Sequence, residues 1–173
     1  MKKILTVALV VLICMTICSG CSQDEPAYTP GTATNSIIPI DVVGIEKLIK
    51  KRGCPVMLVA MAAWCAPCRA ELPVLQEMHE KYKDRGLQII GISLDMGGPS
   101  AMQPIVDQMG LKFPIYWGGE KVAKHYRISA IPLSYLIKNG AVVESILGRR
   151  DKAFIEQKII ALLDECEKEL AKN

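Results

Sequence analysis

The sequence predicts an α/β domain built on a mixed central β-sheet with helices on both faces. Three observations predict it: short, wholly apolar runs alternate with segments of helical period, Asn139-Gly140 joins two late apolar runs, and half of the 173 residues are hydrophobic. Strands separated by helices ask for parallel pairing through right-handed crossovers. Asn-Gly between two apolar runs is the strongest short hairpin signal and adds antiparallel strands at one side. The apolar content supplies one well-buried core and, with only 23% charged residues, excludes a disordered chain.

The N-terminus has a layout of its own. Met1-Lys2-Lys3 is positive, Ile4 to Ile17 is an almost unbroken apolar run, and Cys18-Ser19-Gly20-Cys21 closes it. This is the pattern of a bacterial export signal, and the run falls short of the ~20 apolar residues of a comfortable membrane span. Residues 1–20 are therefore read as a signal peptide removed before Cys21, with an uncleaved anchor as the alternative. The junction resembles a lipobox, in which the cysteine after the cut carries diacylglycerol, although Cys18 stands where Leu is usual. Residues 21–36 carry few large apolar side chains and read as a flexible tether, which leaves 37–173 as the folded domain. Such a domain works outside the cytoplasm, anchored to a membrane by lipid, in a compartment where disulfides persist.

Within the domain, Ile45, Leu48 and Ile49 mark a first helix, and Val56 to Ala62 is a short apolar strand buried on both faces. Leu72, Leu75, Met78 and Tyr82 form one face of a second helix, with Pro73 inside it as a source of a kink. Leu87 to Leu94 is a strand closed by Asp95-Met96-Gly97-Gly98-Pro99; Met102, Val106 and Met109 mark a helix ending at Gly110. Phe113 to Trp117 is extended, and a short helix spans Lys121 to Tyr126. Pro132 to Lys138 and Ala141 to Leu147 form the hairpin, and Ile155, Ile159, Leu162, Leu163, Cys166 and Leu170 stripe a last helix. The net charge of +3 is scattered apart from pairs such as Lys50-Lys51 and Arg149-Arg150, so no clustered basic face offers itself to nucleic acid.

Of seven cysteines, only Cys65 and Cys68 form a motif, at the junction of a strand and a helix. A thiol attacks a disulfide as its thiolate, and a helix N-terminus, with unpaired N–H groups and the positive end of the dipole, favours that form. Cys65 takes that place, and Cys68, one turn further, can reach its sulfur and resolve a mixed disulfide. Pro67 suits a first-turn position. A structural disulfide closing so small a loop would remove little unfolded-state entropy. A zinc site needs four ligands, and His79 and His125 are isolated, so neither metal nor bound cofactor is expected. Cys54 and Cys166 read as small core residues, with a second disulfide left open. Trp64 is expected to pack beside the pair and limit solvent, while Tyr116 and Trp117 either flank that face or fill the core.

Trp64-Cys65-Ala66-Pro67-Cys68-Arg69 after a buried strand, Ile131-Pro132 and the following hairpin resemble the thioredoxin superfamily. The helical insertion between about Gly98 and Tyr126, the export signal and Glu71-Leu72-Pro73 bring it closer to the TlpA/ResA-like branch. The resemblance implies a thioredoxin fold, an attacking Cys65, a resolving Cys68, and a cis-proline at Pro132 facing them. Trp64, Ala66, Pro67 and Ile131 would meet the substrate, Ile131 by pairing its backbone with a substrate strand. Glu71 matches an acid of this branch: shielded from water it could exchange a proton with Cys68, and otherwise it is a first-turn acid facing the helix dipole. Val59 stands where cytoplasmic thioredoxins bury an Asp, so the proton needs another route. The implied activity is thiol-disulfide exchange with protein dithiols or disulfides, by a monomer that draws electrons from a membrane thiol donor. A reductase role, in cytochrome c maturation or disulfide repair, is favoured over a general dithiol oxidase or a metal or haem chaperone on the same fold.

Overall fold

The computed structural model describes residues 35–50 and 55–171. The signal segment, most of the tether, Cys21 and Cys54 lie outside the described residues. In order along the chain come β1 (Ile38–Pro39), α1 (Val42–Ile49), β2 (Val56–Met61), α2 (Ala66–Tyr82) with a 3-10 turn (Lys83–Arg85), and β3 (Gln88–Ser93). Then follow α3 (Pro99–Met109), β4 (Ile115–Trp117), α4 (Gly119–His125), β5 (Leu133–Lys138), β6 (Ala141–Leu147) and α5 (Lys152–Leu170).

The strands make one sheet in the order β1-β4-β3-β2-β5-β6. β2 lies parallel to β3 and antiparallel to β5, so Val59 faces Gly91 on one side and Ser134 on the other. The hairpin turn places Asn139 at φ 52° and Gly140 at φ 80°, the left-handed pair that a two-residue turn requires. β1 was not anticipated. Its two residues are too few to show a period, and only pairing with Tyr116 and Trp117 makes them a strand.

Side-chain alternation along β2 divides the core. Met57, Val59 and Met61 point to the face covered by α2, α3 and α5, where they meet Leu72, Leu75, Met102, Ile155 and Ile159. Val56 and Leu58 point to the other face and pack with Ile45 of α1 and Val122 of α4. Because both faces are covered, every residue of β2 is buried, which explains why it reads as a continuous apolar run rather than an alternating one.

Helix ends follow local chemistry. Asp41 caps α1 by accepting from Gly44 N–H at 2.7 Å, and Asp151 caps α5 by accepting from Phe154 N–H at 2.8 Å. α2 continues through Pro73 to Tyr82, and left-handed Gly86 ends the 3-10 turn after it. Leu170 is exposed, so the buried stripe of α5 stops at Cys166, and Met109 likewise falls off the buried stripe of α3.

Candidate active site

The site is assembled where β2 runs out. Its last bond to β3 is Leu94 N–H to the Met61 carbonyl at 2.8 Å, after which the chain turns and Cys65 N–H reaches back to the Ala62 carbonyl at 3.1 Å. Cys65 is the N-cap of α2, in extended conformation, and its Sγ accepts from the Cys68 N–H at 3.2 Å. That contact is the N-cap bond usually made by a Ser or Asp oxygen, here given to a sulfur. Pro67 falls in the first turn, where a missing N–H costs nothing.

Cys65 and Cys68 are joined in a disulfide with Cα atoms 5.2 Å apart. Both are buried within the α2-side core, at 4% and 2% exposure. Trp64 does not shield them: it is 70% exposed. The core cluster beneath α2 takes in both cysteines, and Trp64 is left exposed with Ala66 and Pro67.

The Ile131–Pro132 bond is cis, and Leu133 just after it pairs with Ala60, which puts the bond beside the end of β2 from which the cysteine turn departs. Pro132 is buried, and half-buried Ile131 packs against the cluster that contains both cysteines.

Glu71 lies one turn beyond Cys68 on the same buried face of α2 and is only 3% exposed. It is not a first-turn acid, and no acid occupies that turn. One carboxyl oxygen accepts from the Arg150 backbone N–H at 3.0 Å, tying the β6–α5 loop to α2. Burial raises its pKa above the usual carboxylate range, opposed in part by that hydrogen bond and by the charges of Arg149 and Arg150. Val59, where a buried acid would otherwise stand, is fully enclosed in the core. Glu71 is thus a water-shielded acid one turn from Cys68, binding its proton more tightly than an exposed carboxyl would.

A second buried acid escaped the sequence reading. Asp95, in the turn that closes β3, is 2% exposed and its carboxyl faces the cysteine turn. The only signal for it was an acid placed just after a largely apolar strand. Tyr116 fills the core on the α1 side, whereas Trp117 donates its indole N–H to the Asp95 carbonyl at 2.7 Å. His79 sits against Phe113, and partial burial lowers its pKa. Cys166 is buried on α5.

Residues 42–146 match the model of the AhpC/TSA family. The chain is 33% identical over 144 residues to a thiol-disulfide oxidoreductase ResA of Bacillus thuringiensis, covering 82% of this chain and 83% of that one. A ResA of Bacillus cereus is 31% identical over 166 residues, covering 90% and 95%. Among solved structures, a putative thiol:disulfide interchange protein DsbE of Chlorobium tepidum superposes with TM-score 0.62 at 32% identity, over 67% of this chain and 84% of that one. StoA of Bacillus subtilis shares the fold at TM-score 0.56 and 22% identity, over 63% and 84%. The sheet order, the cysteine pair at a helix N-terminus and these likenesses agree: the chain belongs to the AhpC/TSA family and is a thioredoxin-like, ResA-related thiol-disulfide oxidoreductase.

Proposed function

We propose that this oxidoreductase works outside the cytoplasm as a reductant of protein disulfides, with the Cys65–Cys68 pair as its redox centre. The observation that carries the exchange chemistry is the Cys65 sulfur held at the N-terminus of α2 by the Cys68 N–H, since a sulfur so placed is stabilised as a thiolate; the direction rests on the likeness to the ResA proteins. In the reduced protein, Cys65 thiolate attacks a substrate disulfide; the bond between the two substrate sulfurs breaks, and one leaves as a thiolate and takes a proton. Cys68 then gives up its proton, for which Glu71 is the nearby acceptor, and attacks Cys65. The second substrate sulfur leaves, and the Cys65–Cys68 disulfide closes. Two electrons pass to the substrate, and a membrane dithiol returns them to the pair.

Substrates dock through Trp64, Ala66, Pro67 and Ile131, of which the first three are exposed beside the cysteine pair. Cytochrome c maturation and disulfide repair are the settings in which such a reductant serves. Anchoring is through diacylglycerol on Cys21, ahead of the tether, with the protein acting as a monomer.

The reduction potential of the Cys65–Cys68 couple, measured against glutathione, tests the direction. A reductant should lie nearer thioredoxin's potential of about −270 mV than the approximately −120 mV of strong bacterial dithiol oxidants. A value at the oxidant end would reverse the assignment.

A further inference from the structure

The peptide unit linking Ala62 and Ala63 is held at both ends. Its carbonyl, that of Ala62, accepts the Cys65 N–H at 3.1 Å. Its N–H, that of Ala63, has passed the last rung between β2 and β3 and would find no strand partner. Both carboxyl oxygens of Asp95 accept from it instead, each at 3.0 Å.

Asp95 is itself fixed. Ser93 Oγ, fully buried, donates to its carboxyl at 2.8 Å, and the Trp117 indole N–H donates to its carbonyl at 2.7 Å. The Ser93 carbonyl in turn accepts from Gly118 N–H at 2.9 Å. From the other side, exposed Arg69 donates to the Ala63 carbonyl at 3.2 Å. Burying a carboxyl is costly unless its bonds are made. Asp95 and Cys65 thus bond the two ends of the Ala62–Ala63 peptide, and Arg69 bonds the carbonyl of the peptide that follows it.

We propose that Asp95 is a positioning residue for Cys65: by gripping the N–H of the Ala62–Ala63 peptide it orients the carbonyl that receives the Cys65 N–H, and so sets the sulfur at the N-terminus of α2. Bonds at opposite ends of one peptide group also polarise one another, so the grip strengthens the contact to Cys65. Ser93 and Trp117 hold Asp95 in place. The inference rests on Cys65 as the attacking sulfur.

The test is the rate at which iodoacetamide labels Cys65 and Cys68 in the reduced full-length protein at neutral pH, with denaturation midpoints taken alongside. In the wild type Cys65 should label first; if Cys68 did, the assignment of the attacking sulfur would fall before the role of Asp95 was at issue. Asp95→Ala removes both acceptors and should slow Cys65 labelling at least tenfold. Asp95→Asn keeps one acceptor for the Ala63 N–H and should restore the rate to within about threefold of wild type. Val122→Ala, on the opposite face of the sheet, should lower the midpoint and leave the rate unchanged.

An Asp95→Ala rate equal to wild type overturns the proposal. So does an Asp95→Asn rate as low as that of Asp95→Ala, because the lost charge and not the grip would then be the cause. Should Asp95→Ala fail to fold, the double variant Ser93→Ala/Asp95→Asn frees the amide to turn from Ala63. It should be slow where Asp95→Asn alone is not, and equal rates for the two overturn the proposal.

Discussion

Glu71 concentrates the chemistry of the site in one side chain, because its burial sets both its proton affinity and its cost to the fold. Its pKa lies above the usual carboxylate range chiefly through desolvation, so the folded protein holds a proton that the unfolded chain releases. The sign follows: stability is greatest while both states are protonated, and it falls as pH rises from the ordinary carboxylate value through the raised one. Glu71→Gln preserves an acceptor for the Arg150 N–H and removes the titration. Its denaturation midpoint relative to wild type should therefore climb as pH rises from the ordinary carboxylate value through the raised one, and a gap that narrows with rising pH would refute the shift. If Glu71 also takes the Cys68 proton, the same variant should slow resolution of a mixed disulfide by about tenfold or more, at the lower edge of or below general-base contributions. Stopped-flow exchange reads that rate, and an unaltered rate would leave Glu71 as a link between α2 and the β6–α5 loop.

Among the elements, those with strong local signals were legible and those made by tertiary pairing were not. Asn139-Gly140, the apolar run of β2 and the stripes of α2 and α5 each state their structure within a few residues. β1 depends on β4, and the roles of Trp64 and Asp95 depend on which side of a turn faces inward, which no short-range period encodes. Cys65 and Cys68 were legible because one helical turn brings them together whatever surrounds them. Glu71 was half legible: it was singled out by the resemblance that Glu71-Leu72-Pro73 carries, while its burial and its bond to the Arg150 N–H depend on tertiary packing.

The hairpin permits a sharp check of element-level reasoning. Gly140 sits at φ 80°, and a Cβ there would come within 3.2 Å of the Lys50 Cα on the α1 side. Gly140→Ala should cost about 1–3 kcal/mol from backbone strain. Because this turn lies at the end of β5 remote from Pro132, exchange rates at the cysteines should stay unchanged. A midpoint equal to wild type would mean that the turn relaxes into another form. The ion pairs that fasten α5, such as Arg85 with Asp164 and Glu167, are exposed and each contributes little.

At the scale of the whole molecule, the sheet's ends do different work. One end carries the Cys65 turn, the Ile131–Pro132 bond and Asp95; the other carries the hairpin turn. Among the described residues no helix is long and apolar enough to cross a membrane. Attachment by Cys21 predicts that mass spectrometry of membrane-extracted protein finds Cys21 first in the chain with diacylglycerol on its sulfur; a retained Met1 would contradict it.

The central claim is that Cys65 attacks and Cys68 resolves. Trapping of the mixed disulfide tests it most directly: reduced Cys68→Ser and Cys65→Ser proteins are each mixed with a disulfide-bonded protein substrate, quenched with acid and resolved without reductant. The account predicts a persistent covalent adduct through Cys65 in Cys68→Ser and little or none in Cys65→Ser, whose remaining sulfur lies within the first turn of α2 rather than at its N-cap. An adduct that accumulates on Cys68 in Cys65→Ser, with none in Cys68→Ser, would contradict it.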